Sequence, residues 1–555
     1  MRKIKGRPAF RWSTVCMGCV MAMGSGWAQT QEEGAEPPTS GFVLPQAQEL
    51  LDASWGEATV PLSAVDLVGH TVFSDDELQA LVAPYLGREG QAEQWLEQLR
   101  VDLTRHYVDR GYVNSGAIIE QLPDAQGRAR VRVVEGRLTQ FRITGLDGLE
   151  EAYVTSRLWP DVQRVFNMNE MQEDFQILLG NPLFEKMRSN VEPGAQLGEA
   201  LLDLQVQRAR PWSAYVGVDN YRSPLSGEYQ VISGMTARNF TGWGDWLDVS
   251  VNATEKPKDT SAYALGYNFP VPYLGTILGL SATKGQTLVT DPAFKLANFN
   301  NSSRSTGVSL TQPVWESLGQ ALVLGAEWQN RQSRNFVGST PHTATLGEDE
   351  GYSENRVARY SVTYSQRTPS WVGMVRGTFS RGHHSLAGSP ALPANSIPPN
   401  DYRSTLWQAL VSYRFSPQWV GTLRGTAQRT SMPLIGMERY SPTGMQAVRG
   451  YLQNQDVYDN VRTGSVELQW VLPAWDDMQW SLTPFYDVGQ GWNVISATEL
   501  TGNRVNYAAR GVGLAVQWNA WSLNLSYAKP LKNVESIMSG YAQSRGVQFQ
   551  LRYVF

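Results

Sequence analysis

The chain has 555 residues, 42% apolar and 18% charged, with 51 Gly, 19 Trp and 23 Tyr. Charge lies below the roughly 25% of an ordinary soluble domain, and the apolar fraction argues against disorder. After the first thirty residues no apolar run approaches the ~18 residues that a membrane helix needs. A transmembrane barrel stays open, because its strands alternate polar and apolar positions and average to a polar score.

Residues 1–28 read as a secretory signal. Arg2, Lys3, Lys5, Arg7 and Arg11 stand before an apolar stretch from Val15 to Met23, and small residues lead to a cleavage site after Ala28. Cys16 and Cys19, the only cysteines, fall inside it, so the processed chain is expected to form no disulfide and no thiolate metal site. Its loss removes five of 47 bases and no acid, leaving 42 against 52 and a net charge of −10. That balance gives no support to nucleic-acid binding. Residues 29–58 are a linker rich in Glu, Pro, Gly and Ser, with a short helical pattern from Gln46 to Trp55.

Two α+β units of about 75 residues follow, at 59–137 and 138–208. In the first, Ala64 to Gly69 reads as a strand, and Ser74 with Glu77 forms a capping box for a first helix. Trp95, Leu99, Leu103 and Tyr107 give a second helix over 91–110 its apolar stripe, Gly111 stops it, and strands are expected at 113–120 and 129–135. The order strand, helix, helix, strand, strand recurs in the second unit, with strands near 141–145, 186–192 and 200–207 and helices near 150–159 and 169–179. Tyr107-Val108-Asp109-Arg110-Gly111-Tyr112-Val113 resembles the helix-to-strand junction of POTRA domains, periplasmic polypeptide-binding modules. An exposed sheet edge in such a module holds an extended chain through backbone hydrogen bonds that need no particular sequence.

From 209 to 555 the period of two takes over. Trp407, Ala409, Val411, Tyr413 and Phe415 alternate with mostly polar residues, as do Val466, Leu468, Trp470 and Leu472. Sixteen such segments can be placed, from 212–220 to 543–555, among them 304–313, 320–332, 418–429, 462–472 and 478–490. Connections alternate between long and short, as in an outer-membrane barrel with long outer loops and short periplasmic turns. The expected fold is therefore mainly β: a sixteen-stranded antiparallel transmembrane β-barrel preceded by two periplasmic α+β domains. The last segment ends on Tyr553 and Phe555, an amphipathic strand with a terminal aromatic, which resembles the signal read by the barrel assembly machinery during insertion.

The longest connection, 430–461, contains Val448, Arg449, Gly450 and Tyr451, and strand thirteen contains Phe485, Asp487 and Gly489. These resemble the VRGY/F loop motif and the F-x-D-x-G strand motif of the POTRA-plus-barrel superfamily. An Arg folded into a lumen needs a partner to offset its desolvation. The strand's period places Asp487 inward to supply one, with Gly489 leaving room for the loop. His383 and His384 fall in an expected outer loop without further ligands, so neither a metal nor another cofactor is expected. The absence of a nucleophile or acid–base constellation points away from an enzyme. Two POTRA-like modules, the strand count and both motifs resemble the two-partner secretion transporters (TpsB type, FhaC/ShlB-like). The resemblance implies export of one large unfolded exoprotein of TpsA type, an adhesin or haemolysin held first by the POTRA domains, across the outer membrane lipid without ATP. The alternative within the same superfamily is an insertase that assembles other outer-membrane proteins. Family members also carry a plug helix, for which residues 46–55 are the one candidate.

Overall fold

A computed structural model describes residues 61–88, 92–159, 161, 163–292, 295–343, 348–385, 399–494, 504–534 and 540–555. The expected signal segment, the expected linker at 29–58 and the helix expected at 46–55 lie outside the described residues.

The first α+β module contains β1 (Ala64–Val68), α1 (Asp75–Val82), α2 (Ala92–Val108), β2 (Gly116–Gln121) and β3 (Arg128–Val134). Its sheet runs β1-β3-β2, with β1 parallel and β2 antiparallel to β3. The Ser74 hydroxyl accepts the Glu77 amide at 3.4 Å and begins α1. Leu96, Leu99, Leu103 and Tyr107 recur at helical spacing on α2 and are all fully buried against the sheet. Gly111 ends the helix region in a left-handed conformation, φ +93°. The strand expected from Val113 opens only at Gly116. Residues 112–115 instead form a turn in which the Ser115 amide donates to the Tyr112 carbonyl, and Asn114 and Ser115 are buried.

The second module repeats the order with β4 (Arg137–Thr144), α3 (Glu151–Leu158), α4 (Met168–Leu179), β5 (Phe184–Pro193) and β6 (Glu199–Arg208). Its sheet runs β4-β6-β5, again with the first strand parallel to the last. The modules are tied at short range. The Met168 amide donates to Gly111 O at 2.8 Å, Asn167 Nδ2 to Arg110 O at 3.1 Å and Asn114 Nδ2 to Gly198 O at 3.1 Å. The residues that end α2 thus also seat the N-terminus of α4, which Asn167 Oδ1 caps through the Asn169 amide.

The second unit, from Arg210 on, is a closed antiparallel barrel. Its strands are β7 (Trp212–Asp219), β8 (Gln230–Arg238), β9 (Trp246–Ala253), β10 (Ser261–Pro270), β11 (Ile277–Leu288), β12 (Phe299–Glu316), β13 (Gln320–Val337), the two-residue β14 (Thr340–Pro341), β15 (Tyr352–Arg367), β16 (Trp371–Ser385), β17 (Asp401–Arg414), β18 (Trp419–Arg429), β19 (Asn460–Val471), β20 (Met478–Trp492), β21 (Arg504–Trp518), β22 (Trp521–Pro530) and β23 (Val547–Val554). Apart from β14, a short extension of β13, these are sixteen strands. β23 closes on β7 through pairs from Gln550↔Asp219 to Val554↔Tyr215.

Alternation sets the two faces. Leu423, Val466, Tyr486, Val488 and Val512 are exposed on the outer wall, while Ser361, Asn355, Ser465 and Asp487 are buried inside. The strands near the long loops outrun the hydropathy pattern. β12 and β13 each have 18 residues, whereas about 9–11 suffice to span a bilayer. Beyond the bilayer both faces are wet, so the ladder continues through Asn300, Asn301 and Arg334 with no apolar alternation to mark it. The same extension corrects the placement of His383 and His384, which belong to β16 rather than to a loop, with His384 1% exposed.

A loop anchored in the lumen

Residues 430–459 connect β18 to β19 and fold inward, placing Val448, Arg449, Tyr451 and Tyr458 against the inner wall. β20 meets them with its inward positions. Phe485 and Asp487 point inside, while the alternate residues Tyr486 and Val488 stay exposed on the outer wall.

Arg449 and Asp487 form a two-point ion pair: Nε donates to Oδ2 and Nη2 to Oδ1, both at 2.8 Å. The Arg449 amide also donates to Oδ2 at 3.1 Å. Arg449 is 5% exposed and Asp487 not at all, a depth at which an unpaired charge costs several kcal/mol. Neighbouring groups on β19 complete the site. Arg449 Nη2 also reaches Glu467 Oε1 at 2.8 Å and Ser465 Oγ at 3.1 Å, and the Ser465 hydroxyl lies 2.6 Å from Asp487 Oδ1. Arg424 on β18 donates to the same Glu467 oxygen at 3.1 Å. Two guanidiniums therefore face two carboxylates, and the cluster is neutral. The guanidinium further stacks on Phe485, with Cζ 3.3 Å from the ring centroid.

The neighbouring motif residues shape the fit. A Cβ on Gly489 would stand 2.7 Å from Val448 Cγ2, so a side chain at 489 would collide with the loop. Gly450 turns the chain at φ +87°, where a Cβ would come within 3.0 Å of Ala528 O. Tyr451 then reaches the wall. Its hydroxyl lies 3.0 Å from Ala508 O and 2.9 Å from Lys532 O and accepts the Ala508 amide at 3.3 Å, while its ring meets Tyr507 edge-on at 5.2 Å.

The structure adds anchors that sequence reasoning missed. Glu438, earlier in the loop, accepts from Arg331 on β13 at 2.9 Å, from Arg359 on β15 at 2.8 and 3.0 Å, and from Asn355 Nδ2 at 3.0 Å. Asp459 is fully buried at the end of the loop and accepts from the Leu434 and Val494 amides and from Arg439 Nε at 3.1 Å. Gln543, after the last long connection, receives the Gln453 amide at 2.8 Å. The loop is thus held to β13 and β15 as well as to β19 and β20.

At the C-terminus, Tyr553 packs edge-on against Phe555 and tilted against Trp521, each at 4.9 Å, and the Phe555 amide donates to Ala214 O at 2.9 Å. Among the described residues no group of three or more His, Cys, Asp or Glu is placed to hold a metal.

Residues 198–517 match the family described as haemolysin secretion/activation protein ShlB/FhaC/HecB, and residues 60–136 match the ShlB-type POTRA domain. The heme/hemopexin transporter protein HuxB of Haemophilus influenzae is 23% identical over 505 residues, covering 86% of this chain and 85% of that protein. The hemolysin transporter protein ShlB of Serratia marcescens is 28% identical over 451 residues, covering 77% and 73%. Among solved structures, CdiB from Escherichia coli has the same fold, with a TM-score of 0.68 at 19% identity over 94% of both chains. The chain belongs to the ShlB/FhaC/HecB family of haemolysin secretion/activation proteins, and is an outer-membrane translocator of the two-partner secretion type with its N-terminal modules in the periplasm.

Proposed function

We propose that the chain exports one large exoprotein of TpsA type, an adhesin or haemolysin, which the two POTRA modules receive unfolded in the periplasm and the barrel passes to the cell surface. Each module offers edge strands, β1 and β2 in the first and β4 and β5 in the second. An extended segment could pair with such an edge by strand addition. The observation that carries the reading is the loop held inside the lumen by the Arg449–Asp487 pair. A passive pore has no use for a buried ion pair whose role is to seat a loop in its own conduit. The loop's position is the element that export would act through. ATP is not the source of work, and folding of the exoprotein outside supplies the drive. No catalytic step is assigned to the chain. The barrel itself reaches the membrane through the barrel assembly machinery, with the strand ending at Tyr553 and Phe555 as its signal.

Quantitative surface proteomics of a strain lacking the chain tests the reading. Loss of one very large exoprotein, with other outer-membrane proteins at normal abundance, is the expected outcome. A general fall in outer-membrane barrels would instead identify an insertase.

A further inference from the structure

Cations on the outer wall of the barrel gather around one ring. Trp492 ends β20 on the wall's outer face, since the alternate residues Asp487, Gly489 and Gly491 point inward against the loop. Arg429, Arg462 and Arg504 converge on its indole, with Cζ atoms 4.8, 5.5 and 5.2 Å from the ring centroid. The register explains the convergence. Asn460 and Arg504 both pair with Trp492, and Arg462 pairs with the adjacent Gln490, so β18 to β21 bring these residues to one level. Just below, Arg510 on β21 pairs with Lys529 on β22, and both are exposed. Among the described residues, none of the three arginines around Trp492 has a carboxylate within ion-pair distance. Such a grouping of like charges is self-repelling, and one aromatic face offsets only part of it.

The cluster lies at the long-loop end of the strands, which is the outer-leaflet end. Toward the periplasm, Leu423, Val466 and Val488 continue the same faces as exposed apolar wall. At the opposite rim the outer wall carries aromatic pairs instead. Trp419 stacks on Trp470 at 5.6 Å, and Trp521 meets Tyr553 at 4.9 Å. Aromatic residues are suited to either interface, but a set of arginines with no carboxylate partner among the described residues, directly above an apolar wall, fits an amphiphile with an anionic head.

We propose that the Trp492 cluster is a binding site for a phosphorylated glycolipid of the outer leaflet. Phosphate groups accept from Arg429, Arg462 and Arg504, and the acyl chains lie along Leu423, Val466 and Val488. Guanidinium forks bind phosphate through paired charge-assisted hydrogen bonds, so the anion resolves the repulsion among the three cations. The bound lipid would brace the strands on either side of the inward-folded loop, coupling membrane composition to the wall that carries Asp487.

The test uses the purified full chain in detergent and native mass spectrometry. The probes are bis-phosphorylated lipid A, the same lipid with both phosphates removed, and inorganic phosphate as competitor. The wild-type chain should retain lipid A and bind the dephosphorylated lipid about tenfold or more weakly, since each charge-assisted hydrogen bond to phosphate is worth a factor of this order. The triple variant Arg429→Gln, Arg462→Gln, Arg504→Gln should lose lipid A to the same extent while keeping heat-modifiable mobility as a folded barrel. Equal binding of the two lipids to the wild-type chain would overturn the proposal, and this comparison needs no variant. So would full retention by the folded triple variant. Displacement of lipid A by inorganic phosphate would reduce the site to a free-anion site and refute the lipid assignment.

Discussion

Arg449 and Asp487 meet through two parallel hydrogen bonds of 2.8 Å across 38 residues of sequence, in a setting where neither charge reaches bulk water. Removing one partner therefore does more than delete an ion pair. Arg449→Ala leaves Asp487 buried without its cation, beside the half-buried Glu467, and should loosen the loop by about 3–5 kcal/mol. Arg449→Lys keeps the charge but presents a single ammonium where a planar fork spans both oxygens, so it should restore only part of that. Protease accessibility of residues 430–459 in the folded barrel checks the order wild type, Lys, Ala, from most to least protected.

Glu438 lies between Arg331 and Arg359. Glu438→Ala leaves the two guanidiniums facing one another with no anion between them. The loop should separate from β13 and β15 while the Arg449 end stays seated. The expected result is a rise in cleavage near Arg439 without a comparable rise near Tyr451, read by limited trypsinolysis and mass spectrometry.

Gly489 tests space rather than charge. A Cβ there would approach Val448 Cγ2 to 2.7 Å. Gly489→Val should therefore displace the loop as Arg449→Ala does, while leaving the β19–β20 ladder able to form. Overpacking of this kind costs about 1–3 kcal/mol. Barrel content by heat-modifiable mobility should be unchanged and loop protection reduced.

The first periplasmic module carries a pH-dependent anchor. Burial opposes ionisation of Glu135, yet hydrogen bonds from the Thr71 hydroxyl and amide, the Val72 amide and the Tyr107 hydroxyl hold its carboxyl below the usual range. Burial, with the Glu135 charge beside it, in turn pushes the Tyr107 phenol up. A carboxyl whose folded pKa is depressed adds stability above its unfolded value, near 4.3, and that stability is lost as pH falls through the lower folded value. Glu135→Gln should thus destabilise the junction at neutral pH by about 1–3 kcal/mol. The gap from wild type should close below pH ~4. Hydrogen exchange at the Thr71 and Val72 amides in the full chain reports it.

Much of this was legible because each element carries its own period. The buried stripe of α2 at Leu99, Leu103 and Tyr107 follows from helical spacing, although its first fully buried member is Leu96 and the expected Trp95 is only half-buried, and the wall residues Val466, Leu468 and Trp470 follow from alternation. Strand ends were not, since β12 and β13 continue into water where alternation carries no signal. Arg449 and Asp487 could be read because each stands in a short recognisable phrase. Ser465 and Glu467 were readable in part: they occupy the inward positions opposite the Val466 stripe, and Ser465 pairs with Asp487 in register. Glu438 left no local trace. Its partner Arg331 is 107 residues away, and lumenal arginines look alike in sequence.

The most direct measurement is the ratio of surface exoprotein to inserted barrel in cells whose only copy carries Arg449→Ala. Inserted barrel should equal wild type, while surface exoprotein should fall about tenfold or more, as expected when an interaction worth more than ~1.4 kcal/mol is removed from the transport step. A variant that inserts normally and exports at the wild-type rate would contradict the assignment of the lumenal loop to export.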